Sequence, residues 1–93
     1  MKNLDKQAAF LSASIDTNIP EIDLHECSSV SDGLEMLEQG LYAFSKDGDR
    51  YCRVIHGIGS GVLASSVQDE LKNHPLVADF KVDDHGGSCT VLL

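Results

Sequence analysis

The sequence predicts an α/β fold, a two-layer sandwich of element order βαβαββ, on three observations. Two apolar runs end in polar, chemically capable segments, Ile22-Asp23-Leu24-His25 and His56-Gly57-Ile58-Gly59-Ser60-Gly61. Each run is followed by residues whose apolar positions recur at helical spacing, as strand-then-helix units require. Two alternating runs then flank Asp84-His85-Gly86-Gly87, the pattern of a hairpin. Ninety-three residues hold a single core, which one layer of helices on one sheet provides.

Residues 1–18 carry a short apolar patch, Ala8 to Leu11, between polar ends, and are expected to form an arm or short helix laid on a domain spanning 19–93. Ile19 to His25 reads as a strand, with Pro20 near its start, where a missing N–H does least harm. Strand alternation sends Ile22 and Leu24 to one face and Asp23 and His25 to the other. Val30, Leu34, Leu37, Leu41 and Phe44 predict the next helix, with Ser29 and Asp32 as a capping pair and residues 45–49 as the turn that ends it. Gly33 and Gly40 inside this helix each cost about 1 kcal/mol relative to Ala, so they mark close packing or a soft spot. Tyr51 to His56 is the second strand. A helix from about Ser60 to Asn73 follows, with Leu63, Val67 and Leu71 on one face, and His74-Pro75 stops it. Val77 to Asp83 and Ser88 to Leu93 are the last strands. Both helices are expected to cover one apolar face, leaving the other wet, with Arg53 and Lys81 on it and His85 in the hairpin loop.

An apolar fraction of 42% with no run near the ~20 residues of a membrane span excludes a transmembrane class. No export segment is recognisable at the start, so a cytoplasmic setting is expected. Cys27, Cys52 and Cys89 are odd in number and far apart, which argues for free thiols, with Cys52 and Cys89 buried in strands. Fifteen acidic against seven basic residues give a net charge of −8, which disfavours tight binding of a polyanion without excluding a local site.

Ligands of open α/β sheets collect outside the carboxyl ends of parallel strands, where Asp23, His25 and His56 are expected to emerge if their strands are neighbours. Glycines at 57, 59 and 61 let the backbone approach an anion closely, and the helix opening at Ser60 adds unpaired N–H groups and a partial positive charge. The loop lacks the lysine of a nucleotide-binding P-loop, and no downstream acid supports a dinucleotide site. A phosphate or phosphodiester held without a lysine clamp fits these residues better. Asp23 is a candidate orienter of a histidine or a water-mediated holder of a divalent cation such as magnesium. His25 and His56 are candidate acids, bases or phosphate donors, and Arg53 is a candidate phosphate ligand. The residue types leave these roles open.

Ile22-Asp23-Leu24-His25 resembles the Leu-Asp-x-His motif, and His56-Gly57-Ile58-Gly59 the His-Gly-x-Gly motif, of the Smr (small MutS-related) domain family. Ser60-Gly61 and the stretch from Asn73 to Val77 are also similar to its pattern, and the likeness, to the stand-alone form, runs from about Ile19 to Leu93. The resemblance implies a βαβαββ sandwich like the C-terminal domain of translation initiation factor three. It further implies nucleic-acid binding, DNA or RNA, with nicking or RNA-cleaving activity in some members. It would place Asp23 and His25 at the catalytic edge and His56, Gly57 and Gly59 in the phosphate-contacting loop. Glu26 stands where the family commonly has Gly, and Ile58 where binding members are often basic. The competing expectation is a non-catalytic module whose acidic surface binds a basic protein partner.

Overall fold

The structure, a computed structural model, describes residues 2–93 in seven elements: α1 (Lys2–Ile15), β1 (Glu21–Asp23), α2 (Val30–Lys46), β2 (Tyr51–Ile55), α3 (Val62–Asn73), β3 (Asp79–Val82) and β4 (Ser88–Leu92). Of the arm or short helix expected over 1–18, Met1 lies outside the described residues; the remainder is largely α1. No helix among the described residues is long and apolar enough to cross a membrane.

The strands form one sheet in the order β1-β2-β4-β3. β1 runs parallel to β2, with Ile22 opposite Val54 and Asp23 opposite Ile55. β4 lies antiparallel to both β2 and β3, so the carboxyl ends of β1, β2 and β3 share one edge. Ile22, Leu24, Cys52, Val54, Cys89 and Val91 point to one face and form the core with Leu37 and Leu41 of α2 and Val67 and Leu71 of α3. From β1 onward this is the two-layer sandwich that the alternation and helical spacing predict, to which α1 adds a helix on the other face of the sheet.

Two expectations change in detail. The strand expected over Ile19–His25 is regular only across Glu21–Asp23, although Leu24 N–H still donates to Ile55 O at 2.7 Å. An Asp23 oxygen accepts the His25 N–H at 3.1 Å, and this Asx-type bond turns the chain so that Cys27 N–H closes onto Leu24 O at 3.1 Å. The second sheet face, expected wet, is covered by α1, which packs on β4 and β2. Ser88 and Thr90 point away from the core yet are only 1% and 6% exposed, and Ala13 of α1 is fully buried. Lys6 pairs with Asp79 at 3.7 Å, and Tyr51 donates to Asp16 at 2.9 Å, tethering α1 and the residue just after it to the sheet.

The glycines of α2 mark close packing. A Cβ at Gly40 would lie 2.5 Å from Ile22 Cδ1, and one at Gly33 2.9 Å from Leu63 Cδ1. Their absence lets α2 sit tightly on β1 and α3, fixing the turn that carries His25.

Candidate functional site

Asp23 is the last residue of β1 and His25 sits in the turn beyond it. His25 Nδ1 bonds to the same Asp23 oxygen that accepts the His25 N–H, so the carboxylate fixes both backbone and ring. This hydrogen bond holds the Asp23 carboxyl below the usual carboxylate range and raises His25 above the usual histidine value. His25 Nε2 is directed outward, 3.3 Å from the carboxylate of Glu26, so this acid adds to the support of an imidazolium. The dyad lies in an open cleft of about 290 Å³ shared with Cys27 and Met36.

The glycine loop lies directly against this turn. A Cβ at Gly57, whose φ is +77°, would fall 3.4 Å from His25 Cβ, so the two motifs meet at backbone distance. Gly61 caps α3 with a φ of +84°, a left-handed geometry that only glycine adopts cheaply. Among the described residues the N–H groups of Gly59, Ser60 and Gly61 have no protein acceptor, and space beside Gly59 and Gly61 is open. Gly57 differs, because its N–H donates to Gly87 O at 2.9 Å and is not available to a ligand.

His56 does not join His25 at the surface. Its ring continues the inward alternation of Cys52 and Val54 and is 4% exposed. Nδ1 lies 2.8 Å from Gly57 O and Nε2 3.5 Å from Cys89 Sγ. The pairing that satisfies all three groups puts the proton on Nδ1 and lets the thiol donate to Nε2. Burial pushes the Cys89 thiol up to about 11, which keeps it a donor. His56 is thus a strut between core and loop in this geometry, and the acid, base or phosphate-donor role expected of it has no exposed ring nitrogen to use. Arg53, expected to meet phosphate, faces α1 and is engaged by Asp83 at 3.4 Å and Glu21 at 3.9 Å.

The β3–β4 hairpin reaches the same edge, which the sequence reading missed. His85 Nδ1 accepts from Gly87 N–H at 3.0 Å, and its Nε2 lies 3.2 Å from Ser88 Oγ. Ser88 donates in turn to Asp83, which also accepts from Thr90 at 2.8 Å. The only sequence signal was the alternation that sets Asp83 and Ser88 at the hairpin mouth; its neighbourhood to the glycine loop needs the strand order.

For a divalent cation the chain offers the carboxylates of Asp23 and Glu26, both turned to His25, and among the described residues no three His, Cys, Asp or Glu groups converge as a ligand set. These two acids fit an ion such as magnesium only where water and substrate phosphate complete its shell.

The family model of the Smr domain matches residues 22–93. Endonuclease MutS2 of Clostridium tetani is 46% identical over 33 residues, which are 36% of this chain and 4% of that protein, so the match spans only a small part of that relative. The crystal structure of the Smr domain of Thermus thermophilus MutS2 superposes with a TM-score of 0.75 at 26% identity, covering 81% of this chain and 98% of that one. Helix α1 lies outside the residues that the family model matches.

Proposed function

The chain belongs to the Smr domain family, and from that premise we propose that it binds a nucleic-acid strand at the carboxyl edge of its sheet and breaks a phosphodiester bond there. The observation that carries this reading is the Asp23–His25 dyad, whose His25 Cβ meets Gly57 of a loop in which the N–H groups of Gly59, Ser60 and Gly61 have no protein acceptor among the described residues. The similarity to a domain of an endonuclease supports it.

The phosphate oxygens take hydrogen bonds from the loop and the start of α3. An oxygen of water, or of a ribose 2′-hydroxyl, bonds to phosphorus as the bond to the leaving oxygen breaks. His25 Nε2–H protonates that leaving oxygen, and the proton of the nucleophile passes to solvent. Asp23 keeps the ring oriented and stabilises its charged form; His56, Cys89 and Gly87 position the loop. Asp23 and Glu26 are the residues that would hold a magnesium ion, which would supply charge neutralisation.

His25→Ala tests this. Cleavage of labelled DNA or RNA should fall by at least about 100-fold, the lower range for loss of a general acid. The thermal midpoint should stay nearly unchanged, because the side chain is half exposed and outside the core. Undiminished cleavage rejects the reading.

A second reading, a module that binds a basic protein, is favoured by one observation: Arg53 and His25 are each flanked by two acids, while Glu35, Asp69 and Glu70 stand exposed on α2 and α3. Binding of that kind would be lost in a Glu35→Lys, Glu70→Lys variant and survive His25→Ala. Glu38 is unsuitable for such a reversal, because it accepts from the buried His74 ring at 2.5 Å and ties α3 to α2.

A further inference from the structure

We propose that the groove between α1 and the sheet holds an unpaired nucleobase with its ribose, so that the polymer taken by this protein is single-stranded; this rests on the phosphodiester reading of the adjoining edge. The groove encloses about 450 Å³, within the ~300–1,000 Å³ of small-molecule sites. Phe10 of α1 supplies an aromatic side chain to one wall, Ser14 and Thr90 supply hydroxyls, and Arg53 and Lys81 supply donors. An aromatic side chain beside hydroxyl and guanidinium groups is the chemistry that holds a base by stacking and its sugar by hydrogen bonds.

Charge argues for the base rather than the phosphate as the group held. Arg53 and Lys81 are matched in the groove by Asp83 and Asp84, and Asp83 is already bonded to Thr90, Ser88 and Arg53. A lining without net charge gives a phosphate little, whereas stacking is indifferent to it.

Position argues for continuity with the dyad. Glu21, Arg53, Thr90 and Lys81 are cross-strand partners in one row, and Asp23, Ile55 and Ser88 form the row two residues nearer the carboxyl edge on the same face. From strand rise and spacing, Asp23 and Arg53 stand about 8 Å apart, a distance that one nucleotide of a continuous strand bridges. A duplex must first unstack and unpair a base to fill the groove, which a single strand need not do. Phe10 and Ser14 precede the family-matched residues 22–93, so this wall of the groove belongs to α1.

The test uses the full chain with single-stranded RNA and DNA octamers, each carrying one 5-iodouracil, at ~50 mM salt. Photocrosslinks on Phe10 or its α1 neighbours are expected, and Phe10→Leu should weaken single-strand binding about tenfold while leaving duplex binding unchanged. Crosslinks confined to residues 56–61, or equal binding by the wild type and Phe10→Leu, overturn the proposal. Where Phe10→Leu unseats α1, seen as lost helix signal in circular dichroism, the crosslinks of the wild type decide. Single-strand binding that responds to Phe10→Leu while cleavage ignores His25→Ala keeps the groove and removes the cleavage reading. Cleavage lost in His25→Ala with binding indifferent to Phe10 does the reverse, and no binding of any octamer overturns both.

Discussion

Asp23 and His25 show how much chemistry two residues carry when one turn joins them. The carboxylate takes both the N–H and the ring of His25, raising the histidine above its ordinary 6.5 and lowering the acid below 3.8. The interaction between the charged forms is therefore present between those two values, lost as pH rises through the folded value of His25 and lost as pH falls through that of Asp23. NMR titration should give a His25 midpoint above 6.5, and Asp23→Asn should bring it down. If Nε2–H is the acid, cleavage should decline as pH rises through the same midpoint, and the decline should move to lower pH in Asp23→Asn. A pH profile that ignores the substitution would separate His25 from the proton transfer. Asp23 was legible because strand alternation sets it on the face away from Ile22, whereas His25 is placed beside it by the Asx-type turn that Asp23 itself closes. The inward turn of His56 follows the same alternation as Cys52 and Val54; what local sequence does not show is its ring's partner Cys89 Sγ, which comes from the last strand.

Helix α2 sets the position of that turn, and Gly40 is where it comes closest to β1. Alanine there gains about 1 kcal/mol in helix propensity, yet its methyl must displace Ile22 Cδ1 and Cγ1 from 2.5 and 2.7 Å inside a packed core. Overpacking of this kind costs about 1–3 kcal/mol, so Gly40→Ala should be net destabilising by about 1 kcal/mol in urea unfolding. A stabilised variant would mean that α2 can lift from β1 freely. The helical spacing from Val30 to Phe44 and the Ser29 cap, whose oxygen accepts from Asp32 N–H at 3.1 Å, follow directly from local sequence. The link between Glu38 and His74 does not, because 36 residues separate its partners.

The whole molecule sets a strongly negative field around a site that must receive a phosphate. A net charge of −8, with Arg53 and His25 both paired to acids, leaves few cations to displace counterions from a nucleic acid. Single-strand affinity should therefore fall by less than about tenfold between 50 and 200 mM salt, as expected when one or two phosphates are neutralised. A steeper dependence would point to a basic path made by Lys46, Arg50, Lys72 or Lys81, none of which is ion-paired among the described residues. Helix α1 belongs to this scale as well, since it closes one side of the sheet and turns the row from Arg53 to Lys81 from open surface into a groove.

By itself the sequence determined the order of the elements from β1 onward, the apolar face of each and the two motifs at the strand ends. Periodicity, capping and glycine placement are local properties that act within a few residues. The tertiary structure alone decided what those motifs touch: the insertion of β4 between β2 and β3 brings the hairpin to the site, and its Cys89 and Gly87 hold His56 and Gly57. It also decided that α1 covers the second face, burying Ser88 and Thr90, which alternation had assigned to solvent. Such contacts depend on which strands become neighbours, and that is settled by the collective burial of the core rather than by any one segment.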